Sequence, residues 1–331
     1  MNSKRLLVTG GAGFIGSSFI RVGLQERVCE RIVNLDNLSY AADLRNLSAV
    51  EGDARYRFVK GDIRDSALVE KLCVEEKIDA IVHFAAETHV DRSITSPLAF
   101  YETNVGGTIA LLEVLRRHPH IHMHHISTDE VYGSLTEEGH FSEHSPYRPN
   151  SPYSASKAAS DHFVRAYAHT YGLWATISHC TNNYGPCQYA EKLIPRMIAG
   201  CAHRQKLPVY GTGVNVRDWI FVDDHSHAVW TILEKGKRGE TYGIGGGAEW
   251  RNIDLVHCLA ERYAAKAGED PEKVRSLISF VEDRPGHDLR YAMDCAKIRT
   301  ELDWVPQHNF ASGIDQTIDW YLQHPERLEL V

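Results

Sequence analysis

Asp129 and Glu130 stand side by side in Ser127-Thr128-Asp129-Glu130-Val131-Tyr132-Gly133, and Tyr153-Ser154-Ala155-Ser156-Lys157 follows downstream. Adjacent carboxyls can divide into an acid and a base when their surroundings push their pKa values apart, and such a pair can remove water from a substrate. On a solvated loop the same two residues would do nothing. Tyr153 and Lys157 are four apart and share one face of a helix. A free tyrosine, with a pKa of about 10, is a poor base at neutral pH. A nearby ammonium favours its phenolate. The alternative for this pair is an exposed helix face, which Ser154, Ser156 and Ser160 allow.

What must position these groups begins at the N-terminus. Gly10, Gly13 and Gly16 lie between an apolar run, Leu6-Leu7-Val8, and a stretch of helical spacing. Glycines there permit a tight turn and let backbone amides approach a pyrophosphate at a helix N-terminus. Asp36 closes the next apolar run, where a carboxylate can accept both ribose hydroxyls and repel a 2′-phosphate, pointing to NAD over NADP. Asp36-Asn37 is also good turn chemistry, so a solvated loop acid stays open. Asp62 and Phe84-Ala85-Ala86 follow the third and fourth apolar runs, at strand ends where open α/β sheets bind ligands. A nicotinamide ring held nearby would add its positive charge to that of Lys157 beside Tyr153.

The spacing predicts strands at 5–9, 31–35, 56–59, 80–84, 121–126 and 175–180. Helices are expected at 14–25, 67–76, 99–117 and 153–171. This alternation gives an α/β fold, a Rossmann-type doubly wound parallel sheet. After residue 180 prolines punctuate shorter elements, and Gly245-Gly246-Gly247 and Asp283-Arg284-Pro285-Gly286-His287 read as site-forming loops. The expected division is a dinucleotide-binding domain over 1–180 and a smaller mixed α/β substrate-binding portion over 181–331, with chain crossings between them.

Composition narrows the class. The 331 residues are 43% hydrophobic and 24% charged, ordinary for a globular protein with a substantial core. A net charge of −8 argues against general attraction to nucleic acid or anionic membrane. No apolar run reaches the ~18 residues of a membrane span. Seven scattered cysteines without a C-x-x-C read as reduced thiols of a cytoplasmic protein. His120, His122 and His124 alternate along the fifth strand, with His118 and His125 beside them. No carboxylate or cysteine partner is evident, so these are read as partly buried strand residues rather than a metal site.

Eight segments carry a resemblance that runs nearly end to end. They are TGGAGFIGS at 9–17, AAETHVDRSI at 85–94, STDEVYG at 127–133, SPYSASKAASD at 151–161, NNYGP at 182–186, EKLIP at 191–195, NVRDW at 215–219 and DRPGHDLRYA at 283–292. In these the chain resembles the dTDP-glucose 4,6-dehydratases of the extended short-chain dehydrogenase/reductase superfamily. Thr128-Asp129-Glu130 is the specific part, because sugar-nucleotide epimerases and decarboxylases usually lack the full triplet.

The resemblance implies that Tyr153 takes a proton from the sugar C4 hydroxyl, with Thr128 holding that hydroxyl. Glu130 then removes the C5 proton and Asp129 protonates the departing C6 hydroxyl. Lys157 supports Tyr153 and the nicotinamide ribose. For NAD the resemblance adds Phe14, Ile15, Asn37, Leu38, Ser39, Ile63, Glu87, Thr103 and Asn183. For a nucleotide-sugar substrate it implies Thr88, Asn182, Lys192, Leu193, Pro208, Val209, Tyr210, Arg217, Asn252, Asp283, Arg284 and His287. Arg217 and Arg284 are forked donors suited to a diphosphate, and Tyr210 could stack on a pyrimidine. For Arg217 an ion pair with Asp218 or Asp223 is the alternative. A homodimer through the Tyr153 helix and its neighbour is also implied. His179 stands where these enzymes normally have arginine, and Cys187 and Ala190 where they have an aromatic residue and a proline. These flank Asn182 and Lys192, so substrate choice is the point they put in question, with His179 foremost.

Overall fold

The computed structural model describes residues 4–329. Strands β1 (Lys4–Thr9) and β2 (Cys29–Asp36) carry the apolar runs Leu6-Leu7-Val8 and Ile32-Val33, buried on both faces, with the polar Thr9, Asn34 and Asp36 buried towards their C-terminal ends. Helix α1 (Phe14–Gln25) connects them. The series continues through β3 (Tyr56–Lys60), α2 (Ser66–Glu75), β4 (Ala80–His83), α3 (Val90–Thr95), α4 (Pro97–Phe100), α5 (Thr108–Arg117), β5 (His122–Thr128), α6 (Pro152–Tyr171) and β6 (Ala175–Cys180). The second half comprises β7 (Asn182–Tyr184), α7 (Leu193–Ala202), β8 (Leu207–Tyr210), β9 (Val216–Phe221), α8 (Val222–Lys235), β10 (Thr241–Ile244), β11 (Glu249–Arg251), α9 (Asn252–Ala267), α10 (Pro271–Arg275), β12 (Ile278–Val281), α11 (Ala296–Leu302) and α12 (Phe310–Gln323).

Seven strands form one sheet in the order β10-β6-β5-β4-β1-β2-β3, every pair parallel. Leu6, Val8, Val82 and Ile244 pack on α1, α8 and α11 on one face. Leu7, Val33, Ile81, Met123 and Ile177 pack on α2, α5 and α6 on the other. The strand order reverses beside β1, between β2 and β4, and the crevice beyond the strand C-termini there is where open α/β sheets take ligands. A separate core joins Ile194 and Ile198 of α7, Trp219 and Phe221 of β9, Leu255 and Leu259 of α9, and Ile314 and Ile318 of α12.

Two expectations change. The helix expected over 99–117 is broken: a π-helical turn, Tyr101–Gly107, separates α4 from α5. Gly107 packs against Ile63, whose Cδ1 would lie 2.3 Å from an added Cβ. Asn104, in that turn, accepts from the Glu87 amide and donates to the Glu87 carbonyl and to Ser156 Oγ on α6. The histidine row is also shorter than expected, because β5 begins at His122 and His120 is exposed in the preceding turn.

Candidate active site

The glycine turn is as tight as backbone allows. Gly10 has φ 72°, and a Cβ on it would meet the Ala85 backbone at 2.6 Å; one on Gly16 would lie 2.4 Å from the Gly10 carbonyl oxygen. Asp36 braces this turn: Oδ2 accepts from the Ala12 amide at 2.9 Å and Oδ1 from the Leu38 amide at 2.8 Å. Each oxygen keeps a lone pair for a ribose hydroxyl. Gly10, Gly13, Phe14, Ile15, Gly16, Asp36, Asn37, Ser39, Asp62, Ile63, Phe84, Ala85, Ala86, Glu87, Thr103 and Asn183 line one cavity of about 310 Å³. Close-approach glycines, the N-terminus of α1 and a carboxylate at the end of β2 fit a dinucleotide.

The same cavity reaches Thr128, Asp129, Glu130, Tyr153 and Lys157. β5 ends at Thr128, whose side chain accepts from the Glu130 amide at 3.2 Å and so caps the 3₁₀ turn Asp129–Tyr132. A Ser151–Ser154 capping box with Pro152 at the first helical position starts α6. Tyr153 therefore sits in the first turn, where the helix N-terminus favours an anion, and Lys157 follows one turn on. Lys157 Nζ donates to the Ile126 carbonyl at 2.7 Å, and burial pulls its pKa down to about 8. Burial, with Glu130 beside it, pushes the Tyr153 phenol up. The charge of Lys157 and a bound positive ring act against that shift.

The two carboxyls differ in their surroundings. Asp129 is pushed well above the usual carboxylate range by burial, then by the charges of Glu130 and Asp218. Its Oδ2 is buried and has no hydrogen-bond partner among the described residues. Glu130 is also raised by burial, but Arg284, Arg217 and Lys192 oppose that rise. Both carboxyls are raised by burial, and three cations, Arg284, Arg217 and Lys192, bear on Glu130.

A second cavity of about 330 Å³ adjoins the first, and both are lined by Thr88, Glu130, Asn182 and Lys192. Leu193, Pro208, Val209, Tyr210, Arg217, Asn252, Arg284 and His287 line the second. Arg217 is buried without a salt bridge among the described residues. Its guanidinium donates to the carbonyls of Val216, Asp288 and Leu289 and lies 4.2 Å from the Tyr291 ring centroid. The pairing with Asp218 or Asp223 does not form, and a buried cation faces the cavity.

Several expected residues stand outside the cavity walls. Leu38 does not line the first cavity; at φ 59° it turns the chain while its amide binds Asp36. Asp283 does not line the second; its Oδ1 contacts His287 Nδ1 at 2.7 Å and orients that ring. His179 is fully buried and lines neither cavity, nor do Cys187 and Ala190. Gln188 and Tyr189 line the first cavity and His89, Asp91, Arg196 and Tyr291 the second, none anticipated from sequence. For His89, Asp91 and Tyr291 the signal was present, inside the 85–94 and 283–292 segments.

A doubly wound sheet, a dinucleotide cradle and an adjacent carboxyl pair at the mouth of a second, cation-lined cavity define a dinucleotide-dependent enzyme with acid–base chemistry. The chain belongs to the GDP-mannose 4,6 dehydratase family, whose model matches residues 7–317. It is 52% identical over 326 residues to a dTDP-glucose 4,6-dehydratase of Xanthomonas campestris pv. campestris, covering 96% of this chain and 92% of that one. It is similar to the solved structure of DesIV, a dTDP-glucose 4,6-dehydratase of Streptomyces venezuelae with NAD bound (47% identity, TM-score 0.91, covering 98% of this chain and 100% of that one). A UDP-glucose 4-epimerase of Thermotoga maritima shares the fold at 25% identity, with a TM-score of 0.86, covering 97% and 99% of the two chains.

Proposed function

We infer that this protein is an NAD-dependent hydro-lyase that converts dTDP-glucose to dTDP-4-keto-6-deoxyglucose. The observation that carries the reading is that Asp129 and Glu130 line the same cavity as Tyr153 and Lys157, with Asp129 Oδ2 left without a partner among the described residues. An epimerase on the same fold needs the tyrosine but has no use for that pair.

The glycine turn and Asp36 would hold NAD, which would supply the acceptor for the C4 hydride and the donor that returns it at C6. Tyr153 accepts the C4 hydroxyl proton, with Thr128 bonded to that hydroxyl and Lys157 stabilising the phenolate. The C4 ketone acidifies the C5 hydrogen, and Glu130 removes it. Asp129 donates its proton to the C6 hydroxyl, which leaves as water. A proton returned to C5 completes the product, so the net change is loss of water. Arg217, Arg284 and Lys192 offer positive charge to a diphosphate. Asn182 and Thr88, at the seam of the two cavities, lie where a sugar would bridge them.

We propose that the enzyme is a cytoplasmic homodimer. Leu98 (73% exposed) of α4, Tyr101 (61%) of the π-turn and Phe163 (39%) of α6 lie on elements that pack together and would be covered in the dimer. Among the described residues no helix is long and apolar enough to cross a membrane. We also propose the division into a dinucleotide-binding part over 1–180, completed by α8, β10 and α11, and a substrate part in the remainder.

Incubation with dTDP-glucose and with UDP-glucose, without added reductant, tests the reading. A 4-keto-6-deoxy product from dTDP-glucose with no net reduced cofactor is expected; inversion at C4 or release of CO2 would sink it. In Glu130→Gln, product formation should fall by about 10²–10⁴ while the cofactor is still reduced. Loss of both steps would point to a structural Glu130.

A further inference from the structure

Behind the catalytic groups lies a polar cluster that the mechanism does not use. Asp161, one turn beyond Lys157 on α6, is fully buried. Its Oδ2 accepts from Ser127 Oγ at 2.8 Å and from Tyr147 Oη at 2.9 Å, and lies 2.9 Å from His179 Nε2. His125 Nε2 lies 3.2 Å from the other oxygen. On the far side of its ring, His179 Nδ1 is 2.6 Å from Tyr132 Oη. Tyr132 is buried, and it closes the 3₁₀ turn that begins with Asp129 and Glu130.

A carboxylate only accepts, so His179 Nε2 carries a proton towards Asp161 Oδ2, with Tyr147 Oη also 2.9 Å from that nitrogen. A neutral ring accepts the Tyr132 hydroxyl proton at Nδ1 and a charged ring donates to that hydroxyl; the Tyr132 contact is made in either form. The chain of bonds runs from the acid–base turn, through His179 on β6, to the helix that carries Tyr153 and Lys157. No backbone hydrogen bond among the described residues joins the turn to that helix.

We propose that His179 is a positioning residue, which through Tyr132 and Asp161 holds the Asp129–Glu130 turn in register with the Tyr153–Lys157 helix so that elimination follows oxidation without release of the oxidised sugar. This rests on the dehydratase reading above. Oxidation at C4 uses Tyr153 and Lys157 of the helix with Thr128 at the end of β5, which its pairing with β6 holds, and water loss needs Asp129 and Glu130 of the turn. Loosening the link therefore affects the second step more than the first, and a misplacement of about 1 Å costs up to 10²-fold.

The test is a kinetic split in Tyr132→Phe and His179→Gln. Phe removes the hydroxyl that binds Nδ1; Gln keeps a donor towards Asp161 and gives up the Tyr132 contact. With dTDP-glucose, the rate of cofactor reduction is read at 340 nm in a rapid-mixing experiment, and keto-deoxy product and any unreduced 4-keto-glucose nucleotide are measured separately. The expected result is cofactor reduction within about threefold of the unmodified enzyme, product formation down about tenfold or more, and reduced cofactor accumulating. His179→Ala should show the larger loss, and recovery in His179→Gln marks the Asp161 contact as the part retained. The proposal is overturned if Tyr132→Phe and His179→Gln make product at the unmodified rate. It is overturned equally if reduction and product formation fall by the same factor at unchanged melting temperature, since that is generic damage. If the unmodified enzyme makes no keto-deoxy product, the functional reading falls and this inference with it.

Discussion

The two faces of β5 carry histidines that are equally buried and differently employed. His122 and His124 point towards the face covered by α1 and α8, where they bond neutral hydroxyls: Thr176 Oγ1 lies 3.1 Å from His122 Nε2 and 2.9 Å from His124 Nδ1, and Ser178 Oγ lies 3.1 Å from His124 Nε2. His125, one position on, faces α6 and shares Asp161 with His179. A strand alternates its side chains, so adjacent residues of one type enter unrelated environments. On the first face polar groups are satisfied by other neutral groups, and the result is packing. On the second a buried carboxylate of α6 gathers His125 and Ser127 of β5, His179 of β6 and Tyr147 of the loop before α6, and His179 in turn meets Tyr132 of the 3₁₀ turn. Burial alone does not say which histidine bears on chemistry; the partner does.

Removing the carboxylate should break the second face and leave the first intact. Asp161→Ala is expected to cost about 3–5 kcal/mol of stability, because it strands several buried donors, and to lower turnover as well. Denaturant unfolding and product assays on the same preparation check both; a loss below about 1 kcal/mol would show that the cluster is not held by its carboxylate. On the first face, His124→Leu leaves Ser178 and Thr176 each short of a partner, at a cost of about 1–3 kcal/mol. Its turnover at 25 °C should match that of the unmodified enzyme, and a tenfold fall would erase the distinction between the faces.

The smallest effect is in pH. Burial lowers the His122 pKa to about 3 and that of His124 well below the ordinary value. The fold prefers these rings neutral, whereas the unfolded chain takes up the proton below about pH 6.5. Their contribution is therefore full above pH 6.5 and is lost as pH falls towards the folded value. At pH 5.5 this is about 1.4 kcal/mol for each ring. Asp129, raised by burial, works in the opposite sense. Comparing the unmodified protein with His124→Leu removes that contribution: the variant should lose about 1.4 kcal/mol less between pH 8 and pH 5.5. Equal losses in the two proteins would mean that His124 does not titrate between the folded and unfolded states.

What the sequence discloses follows the range of the interactions involved. The glycine turn, Thr128-Asp129-Glu130 and Tyr153/Lys157 are local patterns, and each is found at a strand end or in a first helical turn, as the alternation of elements requires. Asn252 and Pro208 came only through resemblance, since no nearby pattern marks them as facing a cavity. The purpose of His179 was illegible. Its neighbours in sequence, Cys180 to Asn182, do line the first cavity, but its own contacts are Tyr132, Tyr147 and Asp161, brought together by the pairing of β5 with β6 and the packing of α6. The charges that bear on Glu130 were equally hidden, because Arg217 and Arg284 come from distant segments.

The π-helical turn at Tyr101–Gly107 amounts to one surplus residue wound into an otherwise regular helix. Deleting a single codon there would let α4 and α5 fuse into an unbroken rod with little change of phase on either side, because the wider turn already absorbs the extra residue. What would change is the turn itself: Asn104 would lose the place from which it bonds the Glu87 loop and Ser156. A residue that looks spare by helical count is therefore what shapes that wall of the site.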